Sequence, residues 1–264
     1  MTSVNIHPTA IVEDGAELGD GVSIGAFAYV GSEVKLGDGS KIHQRATVIG
    51  RSELGAKVEV YPGASIGCAP QILGFKDDGT SRLTIGSGTI LRENVTIHGG
   101  SPTHGGLTSV GDDCLLMVGA HVAHDCHVGN KCVFANGVQI GGHIIVGDQV
   151  WMGGLAAVHQ FCRIGRHAFV GGGAIVVADI IPYGSVIGNH AHLAGLNIVG
   201  MKRRGFSRKS IHDLRAAYRM LFAKEGTFSE RVADAEETYG DCPELVEIIE
   251  FIKAGKSRAL CLPE

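Results

Sequence analysis

Aromatic side chains are scarce in this 264-residue sequence, at 6% with a single Trp, and Pro is held to 7. A core short of aromatics must be filled by small branched side chains, and a hydrophobic content of 44% supplies them. So few prolines exclude a collagen-like or proline-rich disordered chain. No apolar stretch reaches the roughly 18 residues needed to span a bilayer, so no stable membrane insertion is expected. The N-terminus, Met1-Thr-Ser-Val-Asn-Ile-His-Pro8, has no basic segment followed by an apolar run, and no secretory signal is expected. Positive charge is not in excess either: a net charge of −4 gives no reason to expect nucleic acid. The 7 Cys show no paired close spacing, which fits reduced thiols in the cytoplasm better than a disulfide framework.

Glycine is what the chain has in quantity: 40 residues, about twice ordinary usage. It accompanies a strict beat. Ile6, Val12, Leu18, Ile24, Val30, Leu36, Ile42, Val48, Leu54, Val60 and Ile66 fall six residues apart. Ile85, Leu91 and Ile97 resume the beat, and a third run goes from Val110 through Val122, Phe134, Ile140 and Val158 to Val176. Gly often follows the apolar residue, and the position two before it is usually small, as at Ala10, Ala46, Ala120 and Ala168. A helix would recur near 3.6 and an alternating strand near 2. A six-residue period marks a parallel β-helix, whose coils stack into one continuous core. Cys114, Cys126, Cys132 and Cys162 occupy the small inward slot, where a thiol packs as a small hydrophobe.

The solenoid is expected over residues 1–200, with excursions near 68–84 and 98–109 where the register breaks. Long loops on a rigid scaffold tend to carry function. A helical C-terminal domain is expected over 201–264. Ser207 can cap a helix carrying Ile211, Leu214, Tyr218, Leu221 and Phe222; a second fits Phe228–Tyr239; a third begins near Pro243 and stops at Gly255. The basic run Lys202–Lys209 reads equally as a solvated helix start or an anion site.

Three hexapeptides make one triangular coil, so residues 18 apart stack at one strand spacing of about 4.8 Å. His124 then stacks under Gly142 and Asp125 under His143, with His159 and Gln160 one coil further on. Four readings are open for this corner: surface polarity; a zinc site using His124, His143 and His159; a purely structural or binding solenoid; and acyl transfer. The last needs a histidine general base, a carboxylate to fix its tautomer and a backbone N–H to receive the oxyanion.

The motifs Ala120-His-Val-Ala-His-Asp-Cys126, Gly142-His143, Ala157-Val-His-Gln-Phe-Cys162, Gly188-Asn-His190, and Asn197 followed by Gly200-Met-Lys-Arg-Arg-Gly-Phe-Ser207 carry a further signal. Over essentially the whole chain the sequence resembles the UDP-N-acetylglucosamine 3-O-acyltransferases that open lipid A synthesis. The resemblance implies a mainly β protein, a left-handed parallel β-helix followed by a small α-helical domain, assembled as a homotrimer with sites between subunits. It implies a 3-hydroxyacyl donor on the 4′-phosphopantetheine arm of acyl carrier protein, and Gly171-Gly172-Gly173, where a bulky residue shortens the accepted chain in that family, leads to an expected length of around a dozen carbons or more. No metal and no resident cofactor are implied. His124 would be the base, Asp125 its orienting partner and Gly142 N–H the oxyanion donor. His121, His143, His159 and Gln160 would line the sugar and pantetheine sites, with Gln71 and His98 as further pocket positions. Asn197, Arg203 and Arg204 would bind the nucleotide, and Phe169, Gly172 and His190 the acyl chain. The alternative is a hexapeptide acyltransferase that N-acylates another amino sugar nucleotide.

Departures from the family pattern fall in the acceptor region. The family's Gln-Asp-Leu-Lys is Gln71-Ile72-Leu73-Gly74 here, a Glu is replaced by Val199, and a His-Arg pair by His98-Gly99. Ile72 accepts no hydrogen bond. Its presence favours an acceptor with an amine at the 3-position, with Asp77 and Asp78 as possible substitutes for the lost carboxylate.

Overall fold

The computed structural model describes residues 3–255 and 258–264. Short strands, most of two residues, form three faces of eleven, nine and eight strands, all parallel except that His192–Leu196 closes the first face antiparallel to Gly184–Ile187, and they make a left-handed parallel β-helix. Pairing follows the expected period: Asn5 lies beside Ser23, His121 beside Gln139, and Gln139 beside Ala157. In the two-residue strands the second residue is the beat residue. It points inward, and from Ile24 onward these residues are almost wholly buried. Each such side chain contributes roughly 1.5–3 kcal/mol of burial. The small slot closes the corners: Ala46, Ala64, Ala120, Cys126, Cys132 and Ala156 have no exposure. The four thiols placed in that slot are free and buried, and burial pushes Cys126 up to about 12 and Cys162 up to about 11.

The excursions are shorter than the sequence suggests, because the flanking strands extend. Ser65–Cys68 and Arg82–Ile85 bound the first, and Thr96–His98 and Leu107–Val110 bound the second. Both leave the prism between the second and third faces. Ala123 to Cys126, Gly141 to Ile144 and His159 to Cys162 turn at that same edge, on the next coils. One edge therefore collects both loops and the expected chemistry.

Four helices follow: α1 (Ile198–Arg203), α2 (Arg208–Leu221), α3 (Phe228–Tyr239) and α4 (Pro243–Lys253). Ser207 caps α2 as expected, accepting from Ser210 N–H at 3.0 Å, and a capping box of Thr227 and Glu230 starts α3. The short α1 was not legible, and the expected division at 200/201 falls inside it. The helices are pinned to the prism by Arg163, which pairs with fully buried Asp179 at 2.7 Å, donates to Phe251 O and lies over the Phe251 ring. Among the described residues, no helix is long and apolar enough to cross a membrane.

Candidate active site

Each corner of the shared edge ends on a residue in the left-handed region, and these residues stack 18 apart. Asp125 (φ 58), His143 (φ 61) and Phe161 (φ 66) form one column. His124, Gly142 and Gln160, each one position earlier, form the column beside it. The Phe161 ring lies parallel to His143 at 4.5 Å, and His143 meets the edge of His124 at 4.9 Å.

Asp125 is 4% exposed and fully engaged. Its Oδ2 accepts from His124 Nδ1 at 2.7 Å and from the Ser101 hydroxyl at 2.6 Å, and its Oδ1 accepts Ser101 N–H at 2.8 Å. Burial works to raise its pKa, but the bonds from Ser101 and His124 outweigh it and hold the carboxyl below its usual range. A carboxylate can only accept, so the bond to Asp125 places the proton of neutral His124 on Nδ1 and leaves Nε2 as a bare acceptor. A Cβ built on Gly142 would lie 2.8 Å from that Nε2, so only glycine fits beside the base. The Gly142 N–H has no partner among the described residues.

Ser101, Thr108 and His104 were not anticipated. Thr108 accepts Asp125 N–H at 2.8 Å, and the His104 ring rests on His143 at 4.3 Å. All three belong to the second excursion or the strand it enters, and a loop has no period from which to read its contacts. The loop is held down by Gly99 N–H to Cys68 O and Gly100 N–H to Arg82 O. The zinc set of three corner histidines is not assembled. Among the described residues, the trio with ligand atoms within 4.8 Å is His104, Asp125 and His143, and the carboxylate in it already serves Ser101 and His124.

His98 and His121 flank the corner in edge-to-face contact at 5.0 Å, and Thr96 holds His121 Nδ1 at 2.7 Å. Burial, helped by His121 and His124, pushes His98 down to about 4. Outside the expected set, burial beside Arg166 and Arg204 does the same to His167. Both histidines bury an unpartnered Nδ1. They stay neutral in the native protein while the unfolded chain protonates near the ordinary value of about 6.5. Stability is therefore complete above about pH 6.5 and is lost as the pH falls toward 4. The thermal midpoint should drop between pH 7 and about 4.5, and less so in His98→Gln; a flat midpoint in the wild type would contradict this.

The other expected residues divide. Trp151, Phe169, Ser185, Asn197, Arg203 and Arg204 line one cavity. Phe169 thus sits with the expected nucleotide residues and not with Gly172 or His190, because it lies on the first face whereas Gly172 is on the corner beyond. Asn197 is already spoken for: its Oδ1 caps α1 through Gly200 N–H and its Nδ2 donates to His167 O at 2.9 Å. Arg204 donates to Gln149 O at 2.8 Å, while its Nη1 is buried without a partner. Burial lowers the Arg204 pKa, so an anion would be welcome there. Gln71 is exposed on the first excursion. Asp77 and Asp78 are engaged within the loop: Asp77 binds Arg51 and Gly79 N–H, and Asp78 binds Thr80, which folds the loop on itself.

Comparison with known proteins agrees at every level. The sequence family described as Udp N-acetylglucosamine O-acyltransferase, domain 2, matches residues 179–261, and the bacterial transferase hexapeptide family matches 108–142. An acyl-[acyl-carrier-protein]–UDP-N-acetylglucosamine O-acyltransferase of Bartonella henselae is 47% identical over 264 residues, covering 100% of this chain and 96% of its own. Its counterpart in Brucella ovis is 48% identical over 263 residues, covering 100% and 94%. Among solved structures, the UDP-N-acetylglucosamine acyltransferase from Campylobacter jejuni superposes with a TM-score of 0.92 at 33% identity, over 98% of this chain and 100% of that one.

Proposed function

The chain belongs to the acyl-[acyl-carrier-protein]–UDP-N-acetylglucosamine O-acyltransferases, and from that premise we propose that the His124 corner is its catalytic centre. The reaction moves an acyl group from the thioester of acyl carrier protein to UDP-N-acetylglucosamine, the first step of lipid A biosynthesis. The observation that carries the assignment of the centre is the His124–Asp125 bond at 2.7 Å beside an unobstructed Gly142.

His124 Nε2 takes the proton of the 3-hydroxyl as its oxygen attacks the thioester carbonyl. Asp125 stabilises the imidazolium that forms, and Gly142 N–H receives the oxyanion of the tetrahedral intermediate. Collapse breaks the C–S bond, the imidazolium returns the proton to the departing thiolate, and the products are a sugar ester and the free carrier thiol. No resident cofactor takes part in these steps; phosphopantetheine arrives as part of the donor. His121, His143, His159 and Gln160 line the approach of sugar and carrier arm, and the orphaned Arg204 Nη1 with Arg203 supports nucleotide binding in the adjoining cavity.

The working form is a homotrimer. A prism edge is convex and cannot enclose a long acyl chain alone, while Leu155 (75% exposed) and Phe161 (37% exposed) present apolar surface along two edges. Gly172, with only Gly154 backbone within 4 Å of an added Cβ, leaves room for that chain, and by resemblance to the family His190 is a further position of the same pocket. The buried free thiols fit a reducing cytoplasm.

A second reading concerns the acceptor atom. Ile72 is 37% exposed on the first excursion, and both nearby carboxylates are consumed within the loop, which favours the 3-amino analogue. One competition assay decides both points. Given a 3-hydroxyacyl carrier protein with equal UDP-N-acetylglucosamine and its 3-amino analogue, mass spectrometry should find a 3-acylated sugar nucleotide. Ester in excess rejects the amide preference, and no acylated nucleotide at all rejects the assignment.

A further inference from the structure

We propose that Arg258, on the C-terminal tail, is a positioning residue for the donor: it fixes the His159 imidazole as an Nε2–H donor facing the carrier arm. The inference rests on the reading of His159 and Gln160 as donor-site residues.

The tail beyond α4 returns to the prism and is stitched to it. Asp179 N–H donates to Ala259 O at 2.8 Å, Cys261 N–H to Asp179 O at 2.8 Å and Leu193 N–H to Leu262 O at 2.9 Å. These bonds carry the chain past the edge that bears the corner residues. Arg258 immediately precedes the stitched stretch, and its Nη2 reaches His159 Nδ1 at 2.7 Å and Gln160 O at 2.9 Å.

A guanidinium donates and never accepts. The His159 Nδ1 it touches is therefore unprotonated, and in the neutral ring the proton sits on Nε2. Without Arg258 the nearest partner of Nδ1 is Gln160 O at 3.3 Å, an acceptor, which would draw the proton to Nδ1 and leave Nε2 bare. The logic mirrors that of His124, where an acceptor-only carboxylate at Nδ1 leaves Nε2 bare. One edge then carries two imidazoles in opposite tautomers, one able to take a proton and one able to donate a hydrogen bond. The carrier arm is rich in amide carbonyls, which need a donor. The second contact, to Gln160 O, keeps the guanidinium plane in register with the corner, as a forked donor does and a single ammonium does less well.

Steady-state kinetics on the wild type, Arg258→Ala, Arg258→Lys, His159→Ala and the Arg258→Ala/His159→Ala pair test this. Arg258→Ala should raise KM for the acyl carrier protein about tenfold, the worth of one charge-assisted contact, and leave kcat and the acceptor KM within about twofold. Lysine, also only a donor, should recover part of the loss. In the His159→Ala background, Arg258→Ala should add no more than about twofold, because its route is already cut. An equal effect in both backgrounds, or no rescue by lysine, overturns the proposal. So does a fall in melting temperature with all constants moving together, which is what a purely structural tail contact would give. Failure of the underlying reading looks different: His159→Ala itself would leave the donor KM unchanged. A raised donor KM in His159→Ala with a normal one in Arg258→Ala sinks the role of Arg258 alone.

Discussion

His124→Ala should lower kcat by about 10²–10⁴-fold, the usual worth of a general base, with little change in KM for either substrate. The side chain projects from the edge and packs against His143 and Asp125, not into the prism. The beat residues Val122 and Val128 on either side stay buried, so the fold should survive. One cost is predictable: Asp125 loses a donor while remaining bonded to Ser101. Its pKa should rise toward the unfolded value, so the variant should be slightly less stable at neutral pH and lose less of its stability as the pH falls. Near-normal turnover in a folded variant, followed by stopped-time mass spectrometry, would remove His124 from the base role.

Gly142→Ala should lower kcat by about 10²-fold through one methyl group. The added carbon would lie 2.6 Å from His124 Cε1 and 2.8 Å from Nε2, closer than real contacts allow. His124 cannot swing away freely, because Asp125 holds its Nδ1 and the His143 ring lies against it. The ring must tilt, and a misplacement of about 1 Å at a reacting group is enough for a loss of that size. Backbone strain is no part of the argument, since Gly142 is not among the glycines with positive φ. The melting temperature should therefore hold while kcat falls; equal activity in the alanine variant would mean that the base does not work from this position.

What could be read from the sequence follows from what has a period. Ile140, Val158 and Val176 announce where their coils lie, so the stacking of Asp125 under His143 and of His124 under Gly142 came from counting. The thiols of Cys114 and Cys126 were legible for the same reason, as occupants of a slot that admits only small side chains. Handedness was not, because a hexapeptide period is the same in either hand; it entered through the resemblance. Ser101 and His104 reach the corner from a loop whose path is set by backbone bonds at Gly99 and Gly100, and nothing in the spacing encodes those. Asn197 carries two signals at once, and it lines the cavity with Arg203 and Arg204. A motif marked it for a ligand, but a short polar side chain ahead of a helix is equally a cap, and that is the bond it makes. Arg258 was invisible because its partner lies 99 positions away and no repeat relates them.

The central claim is that His124 acts as a base on the acceptor and is not merely a wall of its pocket. An amine, once unprotonated, attacks a thioester with far less help than a hydroxyl does. The direct measurement is the single-turnover rate of wild type and His124→Ala with the 3-hydroxyl and 3-amino acceptors, at a pH above the amine's own pKa. The account predicts a loss of about 10²–10⁴-fold with the hydroxyl and a loss at least tenfold smaller with the amine. The same loss with both acceptors would contradict it, since a residue that only shapes the pocket serves either nucleophile alike.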